Sequence, residues 1–403
     1  MRYRSMALFL AIALLLSGCS LFDGHYVSVT PYQKQSGHDQ TEAISAQNYY
    51  QLRVALQNMV SAGTESSVIY IADYDPEVVE DNLEDVVNYI KNLYPIGAYA
   101  VEDITYEVGI GSGKPAIAIS VVYNRTRGEI RRIRDVKNME KAAQTIQDAL
   151  KSFDTMLVMN IADYRDGDFV QMVEDFAESY PEYVIETPAV AVEVFGSGAA
   201  RVVELSFSYQ TSRDSLRQMK TQVKPIFDSA SLYVSGAAQD RQKFSQLYSF
   251  LMERFDYSLE TSITPAYSLL CHGVGDSRAF ALTYAAMCRS AGLDCRIVTG
   301  THDGTPWTWN MVLDNGYYYH VDLLRSSALG RYEELVDSEM VGYVWDYSAY
   351  PECVRPYVPP VEETTVTAAA SVEEKPGEVP EETAAETEPA DSAEMEQPTE
   401  KTE

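Results

Sequence analysis

A serine lies in front of an alanine-rich segment in the last third of the sequence. The stretch HGVGDSRAFALTYAAMCRSAGLDC, His272 to Cys295, predicts a Gly-rich turn and then a helix that begins at Asp276 or Ser277 and ends at Gly292. A helix N-terminus favours a thiolate, because its backbone N–H groups and dipole lower a thiol's pKa. A serine hydroxyl needs a general base instead. Ser277 is therefore either a nucleophile whose base lies elsewhere or, as we expect, a helix cap.

A predicted hairpin supplies further polar and aromatic candidates. In TWNMVLDNGYYYHVDLL, Asn315 and Gly316 favour a two-residue type I′ turn with Asp314 opposite Tyr317. Alternation places six side chains on one face: Trp307, Trp309, Met311, Tyr318, His320 and Asp322. On that face we expect Trp307 and Asp322 to be diagonal neighbours.

Together, these two segments resemble the core of bacterial transglutaminase-like proteins, which have a papain-like fold. The resemblance covers about residues 239–325. That family has a cysteine at the helix start, a histidine in a His-Ala-Trp-Asn strand and an aspartate in a Tyr-His-Val-Asp context. The resemblance places these three roles on Ser277, Trp307 and Asp322. An indole only donates hydrogen bonds and cannot accept a proton, so the resemblance implies a degenerate, non-catalytic domain.

Two alternatives to a lost site remain open. A displaced dyad, Cys271 with His302 or Ser277 with His302, would retain acyltransferase or peptidase chemistry. Otherwise the old cleft binds a ligand through aromatic side chains, unless these residues only pack in the core. The candidate cleft residues are Trp309, Tyr318, His320, His302 and Cys271. Neither Cys-x-x-Cys nor His-x-x-x-His spacing occurs, so we predict no metal site and no cofactor.

The first residues predict export and a lipid anchor. MRYR is a positive n-region, a short apolar run follows, and LSGC resembles the lipobox of bacterial lipoproteins, which implies cleavage before Cys19 and lipid attachment to it. The predicted location is therefore extracytoplasmic, on the cell membrane. The formal net charge of −29 argues against a nucleic-acid partner, because phosphate binding needs a basic surface.

An internal duplication fills the middle of the chain. VIYIADYDPEVVEDNLEDVVNYIKNLYP is echoed by LVMNIADYRDGDFVQMVEDFAESYP, and each copy continues through a GSG triplet that we interpret as a hairpin turn. The fold class is predicted to be α+β, with two tandem β-α-β-β-α modules before the transglutaminase-like core. The predicted divisions are a signal peptide (1–19), a tether (20–40), the modules (41–150 and 151–235), the core domain (236–352) and a disordered acidic tail (353–403).

The predicted function is that of an anchored surface lipoprotein that binds a cell-wall peptide, a glycan or a surface protein, or acts as a scaffold. The main alternative is a residual enzyme that uses displaced residues. The sequence leaves open how the four remaining cysteines pair, if they pair at all: Cys271, Cys288, Cys295 and Cys353.

Overall fold

A computed structural model describes residues 44–356. The predicted signal peptide, the lipidation site Cys19, the tether and the acidic tail beyond residue 356 lie outside the described residues. Helices and strands alternate along the described part, which confirms the α+β class. No helix in this part combines the length and apolarity needed to cross a bilayer.

The first module is a three-stranded antiparallel sheet with two long helices packed on it. Its strand order is β1-β3-β2, and the buried core includes Leu56, Leu83, Ile117 and Ile119. The elements are α1 (Tyr49–Ser61), β1 (Ser66–Tyr70), α2 (Val79–Asn92), α3 (Pro95–Ala100), β2 (Val101–Gly111) and β3 (Lys114–Tyr123).

The second module repeats this arrangement with an additional full strand. Its sheet has the order β4-β5-β7-β6, with β4 parallel to β5 and the remaining pairs antiparallel. A short helix, α4 (Arg127–Ile130), leads into it. The elements are β4 (Arg134–Asn138), α5 (Met139–Lys151), β5 (Met156–Asp163), α6 (Phe169–Ser179), β6 (Ala189–Phe195) and β7 (Arg201–Ser208).

The two copies correspond closely, but each begins with a strand or bridge and a helix that precede the predicted first strand. Asn48 caps α1 and Asn138 caps α5, each by accepting a hydrogen bond from the N–H three residues later, at 3.0 and 3.1 Å. Ser45 forms a parallel bridge to β1 where β4 runs parallel to β5. Since Val136 and Ile146 are buried in the second core, β4 and α5 open the second module, and the predicted boundary at 150/151 is wrong.

The third domain is built around one almost completely buried helix, α10 (Ser277–Ser290), which lies between other helices and a sheet. The helix α7 (Arg213–Asp228) falls within the predicted second module (151–235) but buries Leu216, Val223 and Phe227 in the core of the third domain. The sheet order is β12-β11-β10-β13. The principal elements are α8 (Asp240–Met252), β8 (Asp256–Tyr257), α9 (Pro265–Tyr267), a π-helical turn (Ser268–His272), β9 (Val274–Gly275), α10 (Ser277–Ser290), β10 (Cys295–His302), β11 (Thr305–Asp314), β12 (Tyr317–Val321), α11 (Leu323–Ala328) and β13 (Tyr343–Trp345).

The predicted hairpin is present in the predicted register. Asp314 pairs with Tyr317, and Asn315 and Gly316 both have positive φ, at 49° and 83°. A type I′ turn requires this backbone conformation at both central positions. The local turn sequence therefore fixed which residues of β11 and β12 share a face.

The C-terminal part of the described chain covers the outer face of this sheet. Leu335, Met340, Trp345 and Cys353 form a small core with the sheet residues. Cys353 is buried, so the predicted tail boundary at 353 lies too early, because this cysteine fills space in the domain. All four described cysteines are free thiols.

Candidate functional site

Ser277 is the first residue of α10 and not its cap. Asp276 is the N-cap, and its Oδ1 accepts the Ala279 N–H at 2.8 Å, so the expectation that Ser277 caps the helix is wrong. Ser277 is 8% exposed, and its Oγ accepts the Thr308 N–H at 3.3 Å. The hydroxyl is thus held against β11 by a bond in which it acts as acceptor.

Trp307 contacts Asp322 directly, as the hairpin register predicted. The indole Nε1 donates to Asp322 Oδ2 at 2.7 Å. The hydroxyl of Tyr343 donates to the same oxygen at 2.7 Å. Asp322 Oδ1 caps α11 by accepting the N–H groups of Leu324 and Arg325, at 2.9 and 3.1 Å. Four donors therefore satisfy this buried carboxylate, and none of them is a group that accepts a proton at neutral pH.

Four rings surround this contact, and we call them the aromatic cluster: Tyr257, His302, Trp307 and Tyr343. The ring centroid of Trp307 lies 5.9 Å from that of Tyr257 and 5.7 Å from that of His302. His302 stacks on Tyr343 with centroids 4.1 Å apart. Tyr257 is 42% exposed and the side chain of His302 is 34% exposed, so solvent reaches the cluster.

Negative charge lies close to the aromatic cluster. Burial raises the pKa of Tyr257, and the carboxylates of Asp276 and Asp322 raise it further. Burial also raises the pKa of Tyr343, and the Asp322 carboxylate beside it acts in the same direction. Both phenols therefore stay protonated at neutral pH, although the guanidinium of Arg325 acts in the opposite direction on the pKa of Tyr343.

A hollow of about 450 Å³ lies next to the start of α10. Its wall includes Ser258, Glu260, Ser262, His272 and Asp276. Two lining residues are chain neighbours of site residues, since Ser258 follows Tyr257 and Asp276 precedes Ser277, but none of the four rings of the aromatic cluster lines the hollow. Sequence reasoning missed Tyr257, Tyr343 and this hollow, since nothing in the local sequence links these segments to the hairpin.

Two predicted cleft residues are buried and do not line a cleft. Trp309 is 1% exposed and His320 is completely buried, because the segment from Leu335 to Cys353 covers their face of the sheet. The hydroxyl of Tyr318, a third candidate, accepts a hydrogen bond from Arg296 at 2.7 Å, and its ring packs against the same small core.

His320 is held in one tautomer. Trp309 Nε1, which can only donate, lies 3.0 Å from His320 Nδ1, so Nδ1 accepts and the ring proton is on Nε2. That proton is donated to Asp337 Oδ1 at 2.9 Å. Within the described chain, the only group of three side chains with metal-ligand atoms close together is His320, Asp337 and Cys353. Burial raises the pKa of the Cys353 thiol to about 12, and Asp337 Oδ1 accepts from both His320 Nε2 and the Cys353 backbone N–H, so hydrogen bonds join these three residues.

Neither predicted dyad is assembled in the described residues. Cys271 is exposed on the π-helical turn, and desolvation raises the pKa of its thiol, which disfavours the thiolate. No hydrogen bond in this part of the chain joins a histidine ring to Cys271 or Ser277. His302 instead stacks on Tyr343 within the aromatic cluster.

Comparison with known proteins identifies the third domain. Residues 229–355 match the family described as the transglutaminase-like superfamily, so the chain contains a transglutaminase-like core domain, as the resemblance implied. No curated protein sequence matches the chain.

Solved structures give distant likenesses. A structure described as a TGase is 9% identical with a TM-score of 0.24, and the match covers 55% of this chain and 66% of that one. A structure described as a putative cysteine protease from Cytophaga hutchinsonii is 13% identical with a TM-score of 0.23, and the match covers 40% of this chain and 72% of that one. The periplasmic domain of TgpA from Pseudomonas aeruginosa is 17% identical with a TM-score of 0.23, and the match covers 34% of this chain and 57% of that one.

Proposed function

We propose that the transglutaminase-like domain is a non-catalytic binding module of a membrane-anchored extracytoplasmic lipoprotein. The observation that carries this proposal is the 2.7 Å hydrogen bond from Trp307 Nε1 to Asp322 Oδ2. The position that requires a proton acceptor holds a donor, and that donor is fully used by the carboxylate beside it. Loss of a general base alone costs about 10² to 10⁴ in rate.

The state of Ser277 supports the same proposal. A serine hydroxyl ionises far less readily than a thiol and depends on a base to accept its proton. Ser277 Oγ is buried and lies against a backbone N–H, with no histidine bonded to it in the described part of the chain. The helix N-terminus alone does not supply a proton acceptor.

The ligand we propose is a cell-wall peptide or glycan held by the aromatic cluster. Exposed ring faces bind the apolar faces of sugars and peptide side chains at low ordering cost. The hollow at the start of α10 offers hydroxyl groups and two carboxylates, Glu260 and Asp276. This surface repels anions, so neutral or cationic segments suit it.

The anchor part of the proposal comes from the sequence alone. LSGC ends at Cys19, and the preceding apolar run is typical of a bacterial lipoprotein signal. Mass spectrometry of the membrane-extracted protein is expected to find a diacylglyceryl-modified N-terminal Cys19. An unmodified chain released from the cell would contradict this expectation.

Binding is tested by calorimetric titration of the protein with muropeptides and with chitin-type oligosaccharides. We expect Trp307→Ala and Tyr257→Ala each to weaken binding about tenfold or more, as loss of a central aromatic contact does. Tyr257 is the informative variant, because its side chain makes no hydrogen bond in the described chain and its truncation leaves no buried group unpaired. Tyr50→Ala, an exposed tyrosine on α1 (64% exposed), is the matched control.

Two results would overturn the proposal. One is equal affinity of wild type, Tyr257→Ala and Tyr50→Ala for every ligand. The other is amide cleavage or crosslinking by the wild-type protein that disappears in Ser277→Ala.

A further inference from the structure

A basic segment stands out in this acidic chain. Residues 125–137, RTRGEIRRIRDVK, contain six of the 31 lysines and arginines of the protein but only two acidic residues. The segment therefore carries a local charge of +4, in a chain whose net charge is −29. We call it the basic segment.

The basic segment lies on the surface between the two modules. It comprises α4, the turn that follows and most of β4, which is the edge strand of the second sheet. The side chains of Arg127, Arg131, Arg132, Arg134 and Lys137 are exposed. These positive charges are therefore accessible from solvent.

Its cations are largely without ionic partners. Arg131, Arg132 and Lys137 form no ion pair in the described chain, whereas Arg125 lies 3.6 Å from Glu204 and Arg134 lies 3.8 Å from Asp154. The two acidic residues of the segment are engaged with uncharged groups. Glu129 accepts from the N–H and hydroxyl of Thr126, both at 2.7 Å, and Asp135 accepts from Asn160 at 2.9 Å.

A hollow of about 650 Å³ adjoins the segment and has three arginines in its wall, Arg132, Arg134 and Arg213. The wall also has two carboxylates: Glu129 accepts from Thr126, and Asp154 pairs with Arg213 at 2.6 Å, so one positive charge is left in excess. Anionic groups of the size of a phosphate therefore meet positive charge both on the segment and in the hollow.

We propose that the basic segment docks the folded body onto the anionic phospholipid headgroups of the membrane that holds its anchor. This inference rests on the anchor in the proposed function. The 24 residues between Cys19 and Ile44 span at most about 85 Å, so the body stays near the membrane surface. Because the tether supplies a high effective concentration, weak electrostatic attraction suffices to orient the body.

Charge complementarity favours a membrane over a soluble partner. The chain as a whole is acidic and is repelled by an anionic surface, so orientations that present the basic segment are favoured. The docking is electrostatic and is therefore weakened by salt, since the screening length falls from about 10 Å at 0.1 M to about 3 Å at 1 M.

The experiment uses the full lipidated chain, reconstituted into vesicles of phosphatidylcholine alone or of phosphatidylcholine with one third phosphatidylglycerol. Flotation reports attachment, and hydrogen–deuterium exchange reports docking. We expect flotation with both vesicles but slower exchange of residues 125–137 only with phosphatidylglycerol, by about tenfold at low salt and not at 1 M salt. A chain that fails to float contradicts the anchor, whereas a chain that floats with equal exchange in both vesicles overturns docking alone.

Charge reversal identifies the residues responsible. We expect Arg131→Glu with Arg132→Glu to remove the protection while flotation is retained. Lys114→Glu with Arg165→Glu, which makes the same charge change at exposed sites elsewhere, is expected to leave the protection intact. Loss of protection in both double variants, or protection by soluble polyphosphate but not by phosphatidylglycerol, would overturn the proposal.

Discussion

The indole of Trp307 donates to the carboxylate of Asp322 across 2.7 Å, and Tyr343 donates to the same oxygen. In the degenerate site that we propose, Trp307 takes the place of a histidine that would pass a proton to and from a nucleophile. Here every hydrogen-bond partner of the Asp322 carboxylate is a donor. Its role is to tie β11, β13 and the start of α11 together.

The first prediction concerns these two donors. We expect Trp307→Phe and Tyr343→Phe each to lower the free energy of unfolding by about 1 to 3 kcal/mol, because each removes one hydrogen bond to a buried carboxylate. The double variant should lose more than the sum, since Oδ2 of Asp322 then has neither of its side-chain donors. Urea denaturation of the four proteins measures this coupling. Simple additivity would mean that the two donors act independently.

The second prediction concerns what the site lacks. In a Cys271→Ser background, we expect Ser277→Cys with Trp307→His to react with iodoacetamide at pH 7 on the order of tenfold faster than Ser277→Cys alone. An imidazole beside Asp322 and a helix N-terminus together lower a thiol's pKa. The measurement is the alkylation rate as a function of pH. Identical profiles for the two variants would show that position 307 does not communicate with position 277.

The third prediction is a pH dependence of stability. Burial lowers the pKa of His320 below its ordinary value, although Asp337 beside it raises it. The folded state therefore keeps this ring neutral, while the unfolded chain binds a proton below about pH 6.5. We expect stability to fall as pH drops below that value, by at most about 1.4 kcal/mol per pH unit from this group. His320→Gln should have a shallower slope in urea denaturation between pH 6.5 and 5; an unchanged slope would assign the effect to other groups.

The fourth prediction concerns the joint between the second module and α10. Arg289 donates to both carboxylate oxygens of Glu182, at 2.8 and 2.9 Å, and lies 4.2 Å from the ring centre of Tyr180. Glu182 is buried, so Arg289→Ala leaves its carboxylate without an ionic partner and should lower the free energy of unfolding by about 2 kcal/mol. This value is smaller than for a fully buried pair because Arg289 is one third exposed. Arg289→Ala with Glu182→Gln should recover part of this loss. Thermal unfolding measures it, and an unaffected single variant would contradict the prediction.

Local signals predicted the parts of the site that depend on short stretches of chain. Asn315 and Gly316 determine the hairpin turn by their backbone preferences alone, and the turn then sets which residues lie beside Asp322. The start of α10 follows from Asp276 in the same way. These features need no information from distant residues.

Features that depend on long-range packing were not predictable in this way. Alternation placed Trp309 and His320 on the face of Trp307, but it carries no information about the distant segment that covers them. Duplication likewise gives the period of a repeat without giving its first element. The predicted boundary between the modules therefore lies after β4 and α5 instead of before them. Only the burial of Val136 and Ile146 in the second core shows that these two elements open the second module.

The three tryptophans differ in their surroundings, and this difference has a practical consequence. Trp309 and Trp345 are buried, whereas Trp307 is partly exposed in the aromatic cluster. Its indole is therefore the most accessible to solvent of the three, and its fluorescence is the most sensitive to a bound ligand. The protein carries its own optical reporter at the place where binding is proposed, so occupancy can be followed without a label.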